Sequence, residues 1–209
     1  MSNQKGGNIM RQQKDSLKLT GKDLINIGIF SAIYFVLSFI GMVLAIIPIM
    51  WILMPGVIAI LAGIPFMLLC VKVQKPGVPF LMGIITGILY FITGQFTVVI
   101  LITFVISCLL AELLRFLTHY RDFKGNAIAF ILFSYGMVGS PLPIWLFKDN
   151  FFMQISEQGM PETYVSTLEM LSSVPMLIVM LILPIVGGLI GVMIARAMFR
   201  KHFQKAGMI

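Results

Sequence analysis

Few side chains in this sequence could carry out chemistry. Glu112 is the one carboxylate within an otherwise apolar stretch, and Arg115 follows at the spacing of a helical ion pair. An ionisable group inside a membrane helix is a candidate functional residue. Three roles are open for Glu112: a structural ion pair or partner contact, coupling to an ion, or contact with a substrate. Its position near a helix end favours the first.

The histidines and cysteines form no recognisable site. His119 and His202 lie in separate basic segments, and Cys70 and Cys108 lie within apolar stretches, without the spacing of a disulfide framework or a metal site. The sequence contains no Walker A loop and no HExxH, GxSxG or paired-carboxylate motif. We therefore expect no catalytic residue, no metal site and no cofactor, and we do not expect an enzyme.

The composition indicates that the folded chain is embedded in a lipid bilayer. Of 209 residues, 59% are apolar and only 11% are charged, and the mean hydropathy is +1.01, whereas soluble domains are roughly half apolar and a quarter charged. The net charge is +7, but the basic residues occur in short clusters between apolar stretches and form no continuous basic stripe. The bilayer is thus an expected partner and nucleic acid is not.

Uncharged stretches predict the number of membrane crossings, because one helix needs about 20 apolar residues to cross. The first stretch of 48 residues and the second of 36 are each long enough for two crossings, and stretches of 23 and 26 residues follow. The sequence therefore predicts an all-α bundle of six transmembrane helices within residues 22–200. The four stretches are residues 24–71, 76–111, 125–147 and 170–195.

Loop charges predict the orientation of the bundle. Fourteen of the fifteen basic residues lie in the two tails, at the helix ends that adjoin them, or in two short turns, and Lys148 is the exception. Since Lys and Arg concentrate on the cytoplasmic side, we expect a plasma-membrane protein with cytoplasmic tails at residues 1–21 and 201–209. The long external segment 148–172 places Tyr164, Leu168 and Leu171 at helical spacing, and its expected role is that of a lid.

Polar and aromatic side chains gather in the predicted outer half, as in a small-molecule pocket. The most specific feature is the pair of prolines in Ser140–Trp145, which should break the fifth span and open a cavity. There Trp145 would form a wall, and Ser140 and Gln95 would orient polar groups. Interfacial aromatics can instead anchor helices to lipid headgroups. A second alternative is a pocket nearer the loop after the first span, at Trp51. The candidate binding residues are Trp51, Tyr90, Gln95, Tyr135, Ser140, Trp145, Lys148 and Asp149, of which Lys148 and Asp149 would close the rim.

Small residues mark two helix surfaces that could approach another helix closely. Gly28 and Ala32 are one turn apart on the first span, where the pattern alone favours internal contact slightly over a partner subunit. The last span carries Gly187, Gly191 and Ala195, for which we expect internal contact with the third span at Gly83 and Gly87.

Five segments resemble the Trep-Strep family, which is grouped with the S components of energy-coupling factor (ECF) transporters. The resemblance implies a six-helix substrate-binding subunit that docks on a transmembrane coupling subunit driven by two ATPase subunits. It also implies that Gly28 and Ala32 bind the partner, since they match a small-residue motif on the first helix of S components. The segments are LINIGIFSAIYFV (24–36), VKVQKPG (71–77), AELL (111–114), residues 133–149 and KHFQKAG (201–207).

The resemblance also bears on the substrate. S components as a class take vitamins, their precursors and metal ions, and the cobalt and nickel members carry an N-terminal histidine ligand. This sequence has no histidine before His119, so a small, vitamin-like organic substrate is expected. Two other classes stay open: an ion-coupled secondary carrier, which should show inverted repeats and midplane charges, and a membrane-embedded enzyme, which needs a nucleophile or metal constellation.

Overall fold

The computed structural model describes residues 18–94 and 97–207, and these residues form nine α-helices and no strand. The all-α prediction is confirmed. The helices are α1 Gly21–Val43, α2 Pro48–Lys72, α3 Val78–Ile92, α4 Val98–Leu117, α5 Phe123–Ser134, α6 Pro143–Leu146, α7 Lys148–Glu157, α8 Glu162–Leu171 and α9 Val174–Lys205, with short 3-10 helices at Leu44–Ile46 and Tyr135–Gly139.

Local sequence fixes where several helices begin. The side chains of Thr20, Thr97 and Asp122 each accept a hydrogen bond from the backbone N–H three residues later, which satisfies one of the free donors at a helix start. Four other helices carry a proline in the first turn, where the missing N–H costs nothing. These prolines are Pro48, Pro79, Pro143 and Pro175.

Four helices of the described chain are long and apolar enough to cross a membrane, so the predicted count of six is not confirmed. The four segments are Gly21–Ile46, Pro48–Lys72, Val98–Leu117 and Val174–Lys205. Helix α3 has 15 residues and α5 has 12, which correspond to lengths of only about 22 and 18 Å. The count of six rested on uncharged length, but within those uncharged stretches α3 and α5 are each shorter than one membrane crossing requires.

Helices α2 and α9 form the closest helix pair. A Cβ on Gly187 would collide with the backbone of Gly56, and one on Gly191 would lie 2.5 Å from the carbonyl oxygen of Ala59. The expected internal contact of the α9 glycines is therefore confirmed, but its partner is α2 instead of the third span. Gly83 of that span instead faces the side chain of Cys108 on α4.

The turn between α2 and α3 (residues 73–77) contacts both the start of α1 and the segment just after α9. Lys75 forms an ion pair with Asp23, near the start of α1, at 2.7 Å between Nζ and Oδ2. The amide of Gln74 donates to the carbonyl of Ala206, just after α9, at 3.0 Å. The start of α1 and the end of α9 therefore lie at one end of the bundle, here called the basic end.

The expected ion pair between Glu112 and Arg115 does not form. Glu112 instead accepts a hydrogen bond from the N–H of Gly77 at 2.7 Å. Arg115 is fully buried and donates to Asn126 Oδ1 at 2.7 Å and to the carbonyl of Val73 at 3.1 Å. Helical spacing predicted a local pair, whereas a backbone donor 35 residues away provides the closer partner for the carboxylate.

Candidate functional site

Helices α7 and α8, here called the lid segment, cover the end of the bundle opposite the basic end. Phe152, Ile155 and Leu168 of this segment are buried in a small apolar core with Ile52 of α2. The predicted helical spacing of Tyr164, Leu168 and Leu171 is confirmed by α8. The lid segment is therefore fixed to the bundle by its own apolar face.

A tyrosine ties the lid segment to the connection after α1. The hydroxyl of Tyr164 donates to the carbonyl of Ala45 at 2.8 Å. Partial burial raises the pKa of the Tyr164 phenol, so this donor stays protonated at neutral pH. The bond joins α8 to the loop that leads from α1 into α2.

A cavity of ≈ 690 Å³ lies beneath the lid segment, within the size range of small-molecule sites. None of its described lining residues is charged, and several of them at its rim are exposed. The lining residues come from the end of α1 and the connection after it, the start of α2, the turn between α3 and α4 with the start of α4, the segment after α5, and the lid segment. They are Met42, Ala45, Trp51, Met54, Gly94, Thr97, Val99, Ile100, Ser140, Pro143, Phe147, Asn150, Phe151, Gln154, Ile155, Gln158, Met160 and Tyr164.

Three aromatic rings form one wall of this cavity. The ring centroid of Trp51 lies 5.4 Å from that of Phe151 and 6.5 Å from that of Tyr164. The indole N–H of Trp51 donates to Ser140 Oγ at 3.2 Å, which fixes the ring. A flat apolar group could stack against such a wall, because offset and tilted aromatic contacts are favourable.

Three amide side chains form a row along the lid segment. Asn150, Gln154 and Gln158 are spaced four residues apart and all line the cavity, as expected for one face of a helix. Their side-chain amides form no hydrogen bond with any other described residue. Each amide can donate and accept, so the row suits a neutral polar ligand.

Of the predicted binding residues, Trp51 and Ser140 line the cavity and contact each other. Gln95 lies outside the described residues, although Gly94 and Thr97 on either side of it line the cavity. Sequence reasoning missed the amide row, whose spacing of four was the available signal.

Tyr135 and Trp145 lie elsewhere. The hydroxyl of Tyr135 donates to the carbonyl of Leu181 at 2.7 Å. The indole N–H of Trp145 donates to the carbonyl of Ser173 at 3.1 Å. Both aromatic side chains are thus anchored to α9 or its start and neither lines the cavity. The wall predicted at Trp145 is provided by Trp51.

The charged residues of the lid segment lie outside the cavity. Lys148 and Asp149 are exposed and do not line it, so the structure does not bring the two predicted rim residues to this cavity. Lys148 instead approaches Glu169 across the lid segment, at 4.0 Å between Nζ and Oε1. Such an exposed contact contributes little to stability.

The chain changes from α-helical to 3-10 geometry before it reaches the two prolines. Helix α5 ends at Ser134, and Cβ atoms on Gly136 and Gly139 would collide with Phe104 and Thr103 of α4. Thr103 Oγ1 also donates to the carbonyl of Gly136 at 2.9 Å. Close contact with α4 thus accompanies the change to a 3-10 helix, several residues before the predicted break.

Gly28 and Ala32 lie on the outer surface of α1. A Cβ on Gly28 would meet no atom within 4 Å, and Ala32 is exposed, while Ile27 and Ser31 face the core. Internal contact, which the pattern alone favoured slightly, is therefore excluded within the described chain. This face is open to lipid or to another subunit.

Tyr90, the last of the predicted binding residues, is 1% exposed and belongs to the core. Its ring borders a separate apolar groove of ≈ 320 Å³ between α3 and α4. It does not line the cavity beneath the lid segment.

The four long apolar helices of the described chain indicate a multi-pass integral membrane protein. The model of the Trep_Strep family, described as a hypothetical bacterial integral membrane protein, matches residues 21–205. The chain belongs to this family, which confirms the resemblance seen in the sequence. Comparisons with curated proteins and with solved structures give no match.

Proposed function

We propose that this protein is the substrate-binding subunit of an ECF-type transporter and captures a small organic, vitamin-like molecule from outside the cell. The observation that carries the proposal is the ≈ 690 Å³ uncharged cavity beneath the lid segment. The aromatic wall at Trp51 would stack against a flat part of the molecule, and the amide row would bind its polar groups. A transmembrane coupling subunit and two ATPase subunits would supply the energy.

The proposal includes six crossings in the plasma membrane with both ends in the cytoplasm. Helix α3 and the combined segment of α5, the following 3-10 helix and α6 would be the two short crossings. Two features support this arrangement. The start of α1 and the end of α9 share the basic end, and positive charge marks the cytoplasmic side.

Cysteine labelling tests the topology. Glu157→Cys should react with an impermeant thiol reagent in intact cells, whereas Lys205→Cys and Lys5→Cys should react only after permeabilisation. Lys5 lies outside the described residues and reports on the tail alone. The native cysteines are buried, so the unmodified protein serves as the blank. Labelling of either tail from outside would show that the proposed topology is wrong.

The proposed function is tested on the purified chain. After purification in detergent, we expect mass spectrometry of the extracted protein to detect one co-purifying organic molecule at near-stoichiometric amount. The isolated chain should neither hydrolyse ATP nor accumulate that molecule in liposomes. Uptake driven by a proton or sodium gradient would instead identify an ion-coupled carrier, and chemical conversion of the molecule would identify an enzyme.

A further inference from the structure

Four hydroxyl groups lie unpaired inside the bundle. Tyr34 and Ser38 of α1 and Thr86 and Tyr90 of α3 are at most 1% exposed. Their hydroxyl oxygens have no hydrogen-bond partner among the described residues. Both tyrosine hydroxyls approach Ser38, but without the geometry of a hydrogen bond. We call these four residues the hydroxyl cluster.

Other Ser and Thr hydroxyls on the membrane helices donate hydrogen bonds to backbone carbonyls of their own helix. Ser31 donates to the carbonyl of Ile27 at 2.7 Å, Thr103 to that of Val99 at 3.0 Å and Thr118 to that of Leu114 at 2.9 Å. Such bonds within a helix satisfy a hydroxyl group in lipid. Ser38 and Thr86 form no such bond. Ser38 lies near both tyrosine hydroxyls, and Thr86 lies one turn from Tyr90 on the same face of α3.

Aromatic rings enclose the hydroxyl cluster. Tyr34 contacts Phe133 edge-on at 5.4 Å between ring centroids, and Tyr90 contacts Phe104 at 6.1 Å. Tyr34 also lies near the middle of the apolar segment Gly21–Ile46. An unsatisfied hydroxyl group is costly in a medium of low dielectric constant, so four buried together favour a bound polar ligand.

We propose that the hydroxyl cluster is a binding site for ordered water between α1 and α3. Buried water typically forms about three hydrogen bonds to polar groups that otherwise lack partners, and hydroxyl groups can both donate and accept. A bare cation fits less well, since four neutral hydroxyls provide no opposite charge in a medium of low dielectric constant. The site is separate from the cavity beneath the lid segment and does not depend on what that cavity binds.

Radiolytic hydroxyl-radical labelling of the full-length wild-type protein tests the proposal. Bound water is the local source of radicals, so Tyr34 and Tyr90 should be modified at least tenfold faster than the equally buried Phe66 and Phe130. The added oxygen should carry the isotope when the sample is prepared in ¹⁸O water. Modification of the two tyrosines no faster than that of the two phenylalanines would overturn the proposal.

A pair of variants provides a second measurement. Thr86→Val keeps the shape but removes one hydroxyl from the hydroxyl cluster, so it should slow Tyr90 labelling several-fold and lower Tm. Ser31→Ala removes a buried hydroxyl that already has a partner, and it should leave Tyr90 labelling unchanged. In a dry site, removing an unpaired hydroxyl is neutral or stabilising. An unchanged or higher Tm for Thr86→Val, with Tyr90 labelling unchanged, would therefore also contradict bound water.

Discussion

Gly28→Trp or Ala32→Trp should abolish co-purification of the coupling subunit and stop substrate uptake. Both residues lie on the open surface of α1, where a Cβ on Gly28 meets no atom within 4 Å. Helices in lipid associate through close contact at small residues, and an indole would hold the partner helix several ångströms away. Binding of the co-purifying molecule to the isolated chain should change by no more than about twofold, because neither residue lines the cavity.

Two control variants separate bulk from position. Gly28→Ala adds a methyl group to open space and should leave assembly intact. Ile102→Trp adds the same indole to an exposed position on α4 and should also leave it intact. Assembly that persists with tryptophan at position 28 or 32 would rule out this face as the interface. Loss of binding together with assembly would show that the two residues support the fold of the chain itself.

The sequence predicted the helical class and the membrane environment because the bilayer imposes both. Long apolar stretches with few charges are stable in lipid, and a helix satisfies all of their backbone hydrogen bonds within one segment. The length of each helix could not be predicted in the same way. Helix α5 ends at Ser134, where the following glycines contact α4, and an uncharged stretch carries no sign of that contact.

The candidate site was predicted in part. Trp51 and Ser140 were identified as outer polar and aromatic residues, and the bond between them joins segments 89 residues apart that no local pattern connects. Trp145 was preferred to Trp51 because it follows the two prolines that were expected to open a cavity. Only the tertiary structure shows that Trp145 is bonded to Ser173 and that Trp51 faces the cavity.

The amide row was missed for a different reason. Polar residues in an external segment usually face solvent, so Asn150, Gln154 and Gln158 carried no signal beyond their spacing. All three are exposed at the rim of the cavity, and the burial of Phe152 and Ile155 on the other face of the helix sets the direction in which the row points. Two faces of one short helix thus have different roles, one in attachment and one in lining the site.

Trp51→Ala should weaken binding of the co-purifying molecule at least tenfold. An aromatic contact contributes about 1 kcal/mol beyond its buried area, and a tenfold change in Kd corresponds to about 1.4 kcal/mol. The binding free energy lost with the stacking contact and the apolar area of Trp51 together should exceed that value. Gln154→Ala removes the middle amide of the row and should weaken binding by about one hydrogen bond, or roughly five- to tenfold. Both Kd values are measured by titration and normalised to folded protein.

Trp145→Ala is the matched control, because it removes the same side chain at the same end of the bundle. Its indole donates to Ser173 and lies outside the cavity, so the Kd per folded molecule should change by no more than about twofold, although the yield of folded protein should fall. The comparison therefore separates a binding role from an anchoring role, which a single tryptophan variant could not do. If Trp145→Ala weakened binding and Trp51→Ala did not, the site would lie beside α6 and α9 instead of beneath the lid segment.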